Sequence, residues 1–351
     1  MRDTMTLESQ YLPLTIGVDL GGTQLRVAVL QGQQILARRC EPTGEDPLPD
    51  RIIPRIYTAI QQMLDETNIA PDQLAGLGMA IAGPLDSRSG VVFASPNLPG
   101  WNSVPLRATF EKWYALPVLI ENDANVAALG EYMFGAGQGS TDMVYLTIST
   151  GIGGGIIING HLLTGAKGTA GELGHMTVDR RGERCNCGNI GCLESIASGT
   201  AIARRARAAS ANGTNFFTEE QIGQNSQSTK ELPIDAKVVA QAAKRGVPEA
   251  LTIMQDAAEA LGIGLVNIIH IFNPDRIVIG GGLTHIEKPL YLDPALKIVS
   301  TRTMAAPRDA AKIALADLGG DVGLIGSGAL VYLHLREKNT ITSVQPLPIG
   351  L

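Results

Sequence analysis

Cysteine is scarce, and its placement is uneven. The 351 residues hold four cysteines, Cys40, Cys185, Cys187 and Cys192, three of them within eight positions. That pattern excludes a spread disulfide framework, and in a reducing compartment it points to a metal site. No apolar run of about 20 residues marks a membrane span. The opening stretch MRDTMTLESQYLPL lacks the long apolar core of a secretory leader. Charge is modest, with 28 basic against 34 acidic side chains and a net of −6. No basic stripe therefore argues for nucleic acid or an anionic membrane. A cytoplasmic protein with neither as partner is expected. No GxxxxGK[ST] occurs, which excludes a Walker A loop.

Apolar residues make up 44% and charged residues 18%, the profile of a soluble globular chain. The length exceeds the ~250–300 residues at which single cores divide, so two lobes are expected. Val18, Leu20, Leu25, Val27 and Val29 mark a hairpin around residues 21–23. The spacing of Ile52, Ile56, Ile60, Met63 and Leu64 predicts a helix over residues 51–68. LAGLGMAI reads as a buried strand ending at Gly83-Pro84. ALPVLIEND reads as a strand, followed by a helix over 125–134 that stops at Gly135. DMVYLTISTGIGGGIIING is a second strand–turn–strand unit. Helices are expected over 196–209, 236–244 and 250–269, with a polar loop-rich insertion at 210–235 between the first two. DRIVIGGGL reads as a strand entering a glycine turn, and GLIGSGALVYLHL as the last helix. IGVDLGGTQLRVAVL and VYLTISTGIGGGIII echo each other, each with a small polar turn between apolar strands.

The first turn, Asp19, Gly21, Gly22 and Thr23, can serve a phosphate. Glycines let backbone amides approach phosphate oxygens, Thr23 adds a hydroxyl, and Asp19 could orient Mg²⁺ through water. A plain hairpin, with glycines serving only the turn, explains the same residues. In the second turn Thr147, Ser149, Thr150 and Gly151 lead a glycine run to Gly155. Hydroxyls before it suit a second phosphate contact, and a bulge or close backbone crossing is the alternative. Gly281 and Gly282 could let an adenine lie against bare backbone, or simply make a tight turn. A GxGxxG dinucleotide fingerprint fits poorly, because these glycines join strands and do not open a helix.

Asn122 and Asp123 fall where a strand ends and a helix starts. They can cap that helix. Alternatively, Asp123 is a general base, its anion favoured by the helix N-terminus. A base that weak suffices for phosphoryl transfer, which needs positioning more than basicity. His175, Cys185, Cys187 and Cys192 form a Cys₃His set suited to closed tetrahedral zinc, across a glycine-rich segment with little core of its own. Buried free thiols are the alternative. The second nitrogen of a zinc-bound His175 could donate to a ligand hydroxyl. Glu172 and Glu194 flank this segment and could accept hydrogen bonds from neighbouring sugar hydroxyls, or be surface charge.

DLGGT, ENDANVAALGE, STGIGGG, GELGHM and CNCGNIGCLE, in that order, resemble the ROK family of bacterial sugar kinases and sugar-responsive repressors, over roughly residues 14–335. The resemblance implies an α/β, two-lobed, actin-like sugar-kinase ATPase fold of the ribonuclease H-like type. It implies a small lobe of 1–121 completed by a C-terminal helix near 323–336. A larger lobe, 122–322, would carry the zinc site and an oligomer interface, and 337–351 would be a flexible tail. In this reading Asp123 resembles the catalytic base, and Asn97, Asn122, Asp123, Glu172, His175 and Glu194 resemble sugar ligands. Gly83 lies where the backbone approaches the sugar. Asp19, Gly21, Gly22, Thr23, Thr150 and Gly151 match the phosphate side, and Gly281 and Gly282 the adenosine side. The implied reaction moves the γ-phosphoryl of ATP, with Mg²⁺ and a structural Zn²⁺, to a hexose, with lobe closure excluding water. SPNLPGW with Glu172, His175 and Glu194 resembles the glucokinase members, so glucose is expected. Mannose, fructose, allose and N-acetylhexosamines use similar frames. Polyphosphate can serve some members, but no lysine- or arginine-rich track favours it here. Family repressors carry an N-terminal DNA-binding domain. The first strand here begins near Thr15, so a repressor is not expected, and a non-catalytic sugar sensor is the remaining alternative. A homodimer or higher homo-oligomer is also implied.

Overall fold

A computed structural model describes residues 12–95, 98–218, 232–285 and 288–338. Asn97, much of the polar 210–235 segment and the tail beyond Lys338 lie outside them. The strands are β1 Leu14–Leu20, β2 Gln24–Gln31, β3 Gln34–Pro42, β4 Leu74–Ile81, β5 Leu85–Asp86, β6 Val91–Val92, β7 Val118–Asn122, β8 Met143–Ile148, β9 Ile152–Ile158, β10 His161–Leu162, β11 Arg276–Gly280 and β12 Lys312–Leu315. The helices are α1 Pro49–Thr67, α2 Leu106–Glu111, α3 Asp123–Phe134, α4 Leu193–Ala197, α5 Gly199–Ala211, α6 Ala236–Lys244, α7 Pro248–Phe272, α8 Leu292–Arg302, α9 Ala305–Ala310 and α10 Val322–Glu337.

Two five-stranded sheets have orders that correspond strand for strand: β3-β2-β1-β4-β7 and β10-β9-β8-β11-β12. In the first, β1–β2 and β2–β3 are antiparallel, and β1–β4 and β4–β7 are parallel. In the second, β10–β9 is antiparallel and β11–β12 parallel. The echo between the two hairpin sequences is thus repeated in the sheets built on them.

The chain divides into two compact units. The first comprises residues up to Tyr145, Gly155–Gly171 and those from Ala316 onward. The second comprises Leu146–Gly154 and Glu172–Leu315. In the first unit, the apolar stripe of α1 (Ile52, Ile56, Ile60, Met63, Leu64) buries against Ile16, Val18, Val27, Val29, Leu77 and Met79 of the sheet. Burial of such side chains contributes about 1.5–3 kcal/mol each. Helix α10 packs on β1 and β4, and Ser327 donates from its hydroxyl to the Val18 carbonyl at 2.9 Å. Helix α3 packs against α10, where Gly130 and Gly326 let the two backbones approach. These contacts fix two chain points: the end of β1 at Asp19 and the start of α3 at Asp123.

In the second unit, α7 is the central helix, packed by α4, α5, α6 and α8. It is long and apolar enough to cross a membrane, but 61% of its most apolar window is buried, as in a core helix. Tyr291 is fully enclosed and donates to the Ala197 carbonyl at 2.7 Å, pinning the end of α4.

Two details differ from the sequence reading. The helix expected over 196–209 is two helices, broken at Ser198, whose extended backbone and side chain cap α5 by accepting from Ala201 N–H. The second glycine run is mostly strand: Gly153, Gly154 and Gly155 lie in β9, and the turn itself is residues 149–151. At Gly155 a Cβ would stand 2.5 Å from the Ala128 Cβ, so this glycine serves close packing against α3.

Candidate functional site

The first turn joins β1 to β2. Gly21 N–H donates to Gln24 O at 3.0 Å, and Thr43 ties the far side through its amide to Thr23 O and its hydroxyl to Gly21 O. Gly22 and Thr23 are exposed, and their amides make no hydrogen bond among the described residues. Such amides can serve an anion. Asp19 is 8% exposed and pairs with Arg26 Nη2 at 2.6 Å. Arg26 also donates to the Gly320 carbonyl just before α10. The Asp19 carboxylate lies against Gly323 in the first turn of α10, where the helix dipole favours negative charge. Burial still raises its pKa, opposed by Arg26.

At the β7–α3 junction, Asn122 Oδ1 and Asp123 Oδ1 both accept from Ala124 N–H, at 3.0 and 2.9 Å. Asn122 thus caps α3 through its Oδ1. Asp123 is exposed, as a base meeting an incoming hydroxyl must be. Beneath it lies Glu121, 2% exposed, accepting from Asn122 N–H at 2.8 Å and Asn125 Nδ2 at 3.1 Å. Burial raises the Glu121 pKa. Gly83 has φ +126°, and a Cβ there would meet the Ser95 hydroxyl at 2.5 Å, so only glycine fits. Ser95 donates to Ala82 O at 2.9 Å and shapes this backbone from below.

The second unit holds the second turn. Gly199 and Thr200 donate to the Ser149 and Thr150 carbonyls at 2.8 and 3.2 Å. The Thr150 and Gly151 amides have no hydrogen bond among the described residues. Glu194 accepts the Ile152 N–H at 2.8 Å through Oε2. Gly281 has φ +90° and would set a Cβ 2.3 Å from the Ile148 carbonyl, which brings the β11 turn onto the end of β8. Gly282 is exposed with open space on its Cβ side, as a surface for a flat ring requires.

His175, Cys185, Cys187 and Cys192 place one ligand atom each within 4.8 Å of all the others. Cys185 Sγ to His175 Nδ1 is 3.6 Å, and Cys187 Sγ to Cys192 Sγ is 3.7 Å. Tetrahedral zinc with usual bond lengths asks for edges of about 3.6 and 3.8 Å. The donor set fits. The Asn189 backbone amide holds Cys187 below its ordinary thiol pKa, while burial pushes the neighbouring Cys192 up to about 12. His175 turns Nε2 toward Glu172 Oε2 at 3.9 Å, beyond hydrogen-bond range. Glu172 is exposed and Glu194 half-buried.

The structure thus groups Asp19 with the first turn and Asn122 with Asp123 in one unit. In the other it groups Glu172 with His175 and the cysteines, and Glu194 with Thr150 and Gly151. Sequence reading missed Glu121, Arg26 and Ser95. The first was visible in ENDAN as an acidic residue inside an apolar strand.

The sequence matches the ROK family model over residues 15–333. The chain belongs to the ROK family. It is 36% identical to a glucokinase of Halalkalibacterium halodurans over 90% of this chain and 94% of that one. It is 31% identical to a xylose repressor of Caldicellulosiruptor bescii, over 90% of this chain and 77% of the repressor. A ROK glucokinase structure from Streptomyces griseus, in complex with glucose and AMPPNP, superposes with a TM-score of 0.73 at 34% identity, covering 91% of this chain and 99% of that one. The two-domain, actin-like sugar-kinase fold of the ROK kinases is therefore the fold of this chain.

Proposed function

We propose that this ROK protein is an ATP-dependent hexokinase converting glucose to glucose 6-phosphate. The observation that carries this is near-full-length similarity to glucokinases, joined to an exposed Asp123 at a helix start and two glycine turns with open amides. Asp123 accepts the proton of the sugar 6-hydroxyl as that oxygen bonds to the γ-phosphorus. The bond from the γ-phosphorus to the β–γ bridging oxygen breaks, and ADP leaves with the electron pair. Basicity matters little here, because the transition state is loose and alignment dominates. Gly22 and Thr23 in one unit and Thr150 and Gly151 in the other offer open amides to phosphate oxygens, Gly21 shapes the first turn through its bond to Gln24 O, and Gly281 and Gly282 lie on the adenosine side. Asn97, Asn122, Glu172, His175 and Glu194 serve the sugar, with the Gly83 backbone. Asp19 would hold Mg²⁺, which neutralises phosphate charge when bound. His175, Cys185, Cys187 and Cys192 would hold a structural Zn²⁺. The homo-oligomer belongs to the same proposal, and light scattering reads it directly.

Mg-ATP turnover against glucose, mannose, fructose, allose, N-acetylglucosamine and N-acetylmannosamine tests the reading, with Asp123→Asn as control. The expected result is a preference for glucose and a loss of at least about 100-fold in Asp123→Asn with fold and sugar binding retained. A different preferred hexose keeps the kinase and moves its substrate. Turnover with polyphosphate alone moves the donor. The xylose repressor relative favours one other reading, a sugar-sensing regulator, and sugar binding without turnover from any donor would establish that instead.

A further inference from the structure

Glu194 sits at the second position of α4, directly after Cys192 and Leu193. Its Oε2 is already used by the protein, accepting the Ile152 N–H at 2.8 Å where the second turn enters β9. A Cβ on Gly151 would stand 2.6 Å from that same oxygen, and among the described residues other than its chain neighbours it would meet Glu194 alone within 4 Å. Five residues on, Gly199 and Thr200 donate to Ser149 O and Thr150 O. The short segment 194–200 therefore grips the turn at three backbone points, and only one of them, Glu194, is a side chain.

We propose that Glu194 is a positioning residue for the phosphate donor, holding the second turn through Ile152 while its other oxygen serves the sugar, so that one carboxylate links the two substrates. This rests on the kinase reading. With Oε2 fixed on the turn, sugar bound at Oε1 restrains the carboxylate and thereby the turn. The turn, once aligned on phosphate, restrains the carboxylate in return. Such coupling is reciprocal: glucose tightens nucleotide by the factor by which nucleotide tightens glucose.

Calorimetry on the full chain measures Mg-AMPPNP affinity without sugar and with saturating glucose, for wild type, Glu194→Gln, Glu194→Ala, Gly151→Ala and the Gly151→Ala/Glu194→Ala double variant. In the wild type, glucose should tighten Mg-AMPPNP several-fold. Glu194→Ala should weaken sugar-free Mg-AMPPNP binding about tenfold, the worth of one charge-assisted hydrogen bond, and abolish the glucose effect. Glu194→Gln keeps an oxygen for Ile152 N–H, so its sugar-free nucleotide affinity should stay within about twofold while glucose binding weakens. Gly151→Ala evicts the carboxylate without touching Glu194, and should match Glu194→Ala for the nucleotide. The double variant should lose no more than either single variant, because both break the same contact. Sugar-free nucleotide affinity unchanged in Glu194→Ala would overturn the proposal and leave Glu194 a sugar ligand only. Additive losses in the double variant would overturn it too, by showing that the Gly151 methyl acts on phosphate directly. A wild-type protein that binds no Mg-AMPPNP overturns the kinase reading and this proposal with it.

Discussion

Glu121 is a buried carboxylate two residues from the candidate base, and its partners are the adjacent Asn122 amide, the Asn125 side chain one helical turn on, and the distant Ser87 hydroxyl. Burial outweighs these hydrogen bonds and raises its pKa. A carboxyl with a raised folded pKa still holds its proton in the folded state where the unfolded chain has lost it. Its contribution is therefore complete below the unfolded pKa and declines as pH rises through the folded one. Glu121→Gln removes that titration. The wild-type advantage over Glu121→Gln in urea unfolding should be greater near about pH 5 than near about pH 8. An advantage that does not change between the two would mean Glu121 carries no such cost. Arg26 works differently at the same scale, because its guanidinium offsets the charge that burial makes costly at Asp19.

Helix α3 carries Asp123 at its first residue, so whatever holds its far end also orients the candidate base. That end is held by Glu131, wholly buried, which accepts from Ala136 N–H at 2.8 Å, Leu318 N–H at 2.9 Å and Asp317 N–H at 3.0 and 3.1 Å. Glu131→Ala leaves three partly buried amides unpaired, and should cost about 2–4 kcal/mol in urea unfolding. Glu131→Gln keeps one acceptor oxygen and should cost less than half of that. A loss below about 1 kcal/mol in Glu131→Ala would mean water replaces the carboxylate. Glu131 was printed in the sequence, within ALGE, but its role was not, since two of its partners lie 186 and 187 residues away. The hairpin at 21–23, the helix start at Asp123 and the cysteine spacing were legible because each is local. The break at Ser198 was not, because a serine inside an alanine-rich helical pattern gives no sign until its hydroxyl caps Ala201. The strand at Gly153–Gly155 was hidden for a related reason: glycines read as turn unless the packing that requires them, here Ala128, is known.

Over the whole chain, the repeated sheet order explains why two similar turns exist, and the Cys₃His segment explains why the second is held from outside its own sheet. The segment from Leu173 to Cys192 has few buried apolar residues, namely Leu173, Cys185 and Cys192. A metal bound by His175, Cys185, Cys187 and Cys192 would supply the order that a core does not, and its binding free energy would be folding free energy. Cys192 stands immediately before α4, its carbonyl accepting from Ser195 N–H at 3.0 Å, and α4 begins the segment that grips residues 149–151, so order in the cluster passes along the backbone to the turn. Cys187→Ala is the informative variant, since Cys187 is exposed and its loss leaves no internal cavity. The protein as purified should carry about one zinc per chain and the variant close to none. Limited proteolysis should cut the variant first between residues 176 and 192, and its Mg-AMPPNP affinity should fall along with its glucose affinity. Loss of glucose affinity alone would confine the cluster to the sugar side. Full activity in a metal-free Cys187→Ala protein would show that the fold holds the turn without metal, and that the four ligands are close only because the chain folds them so.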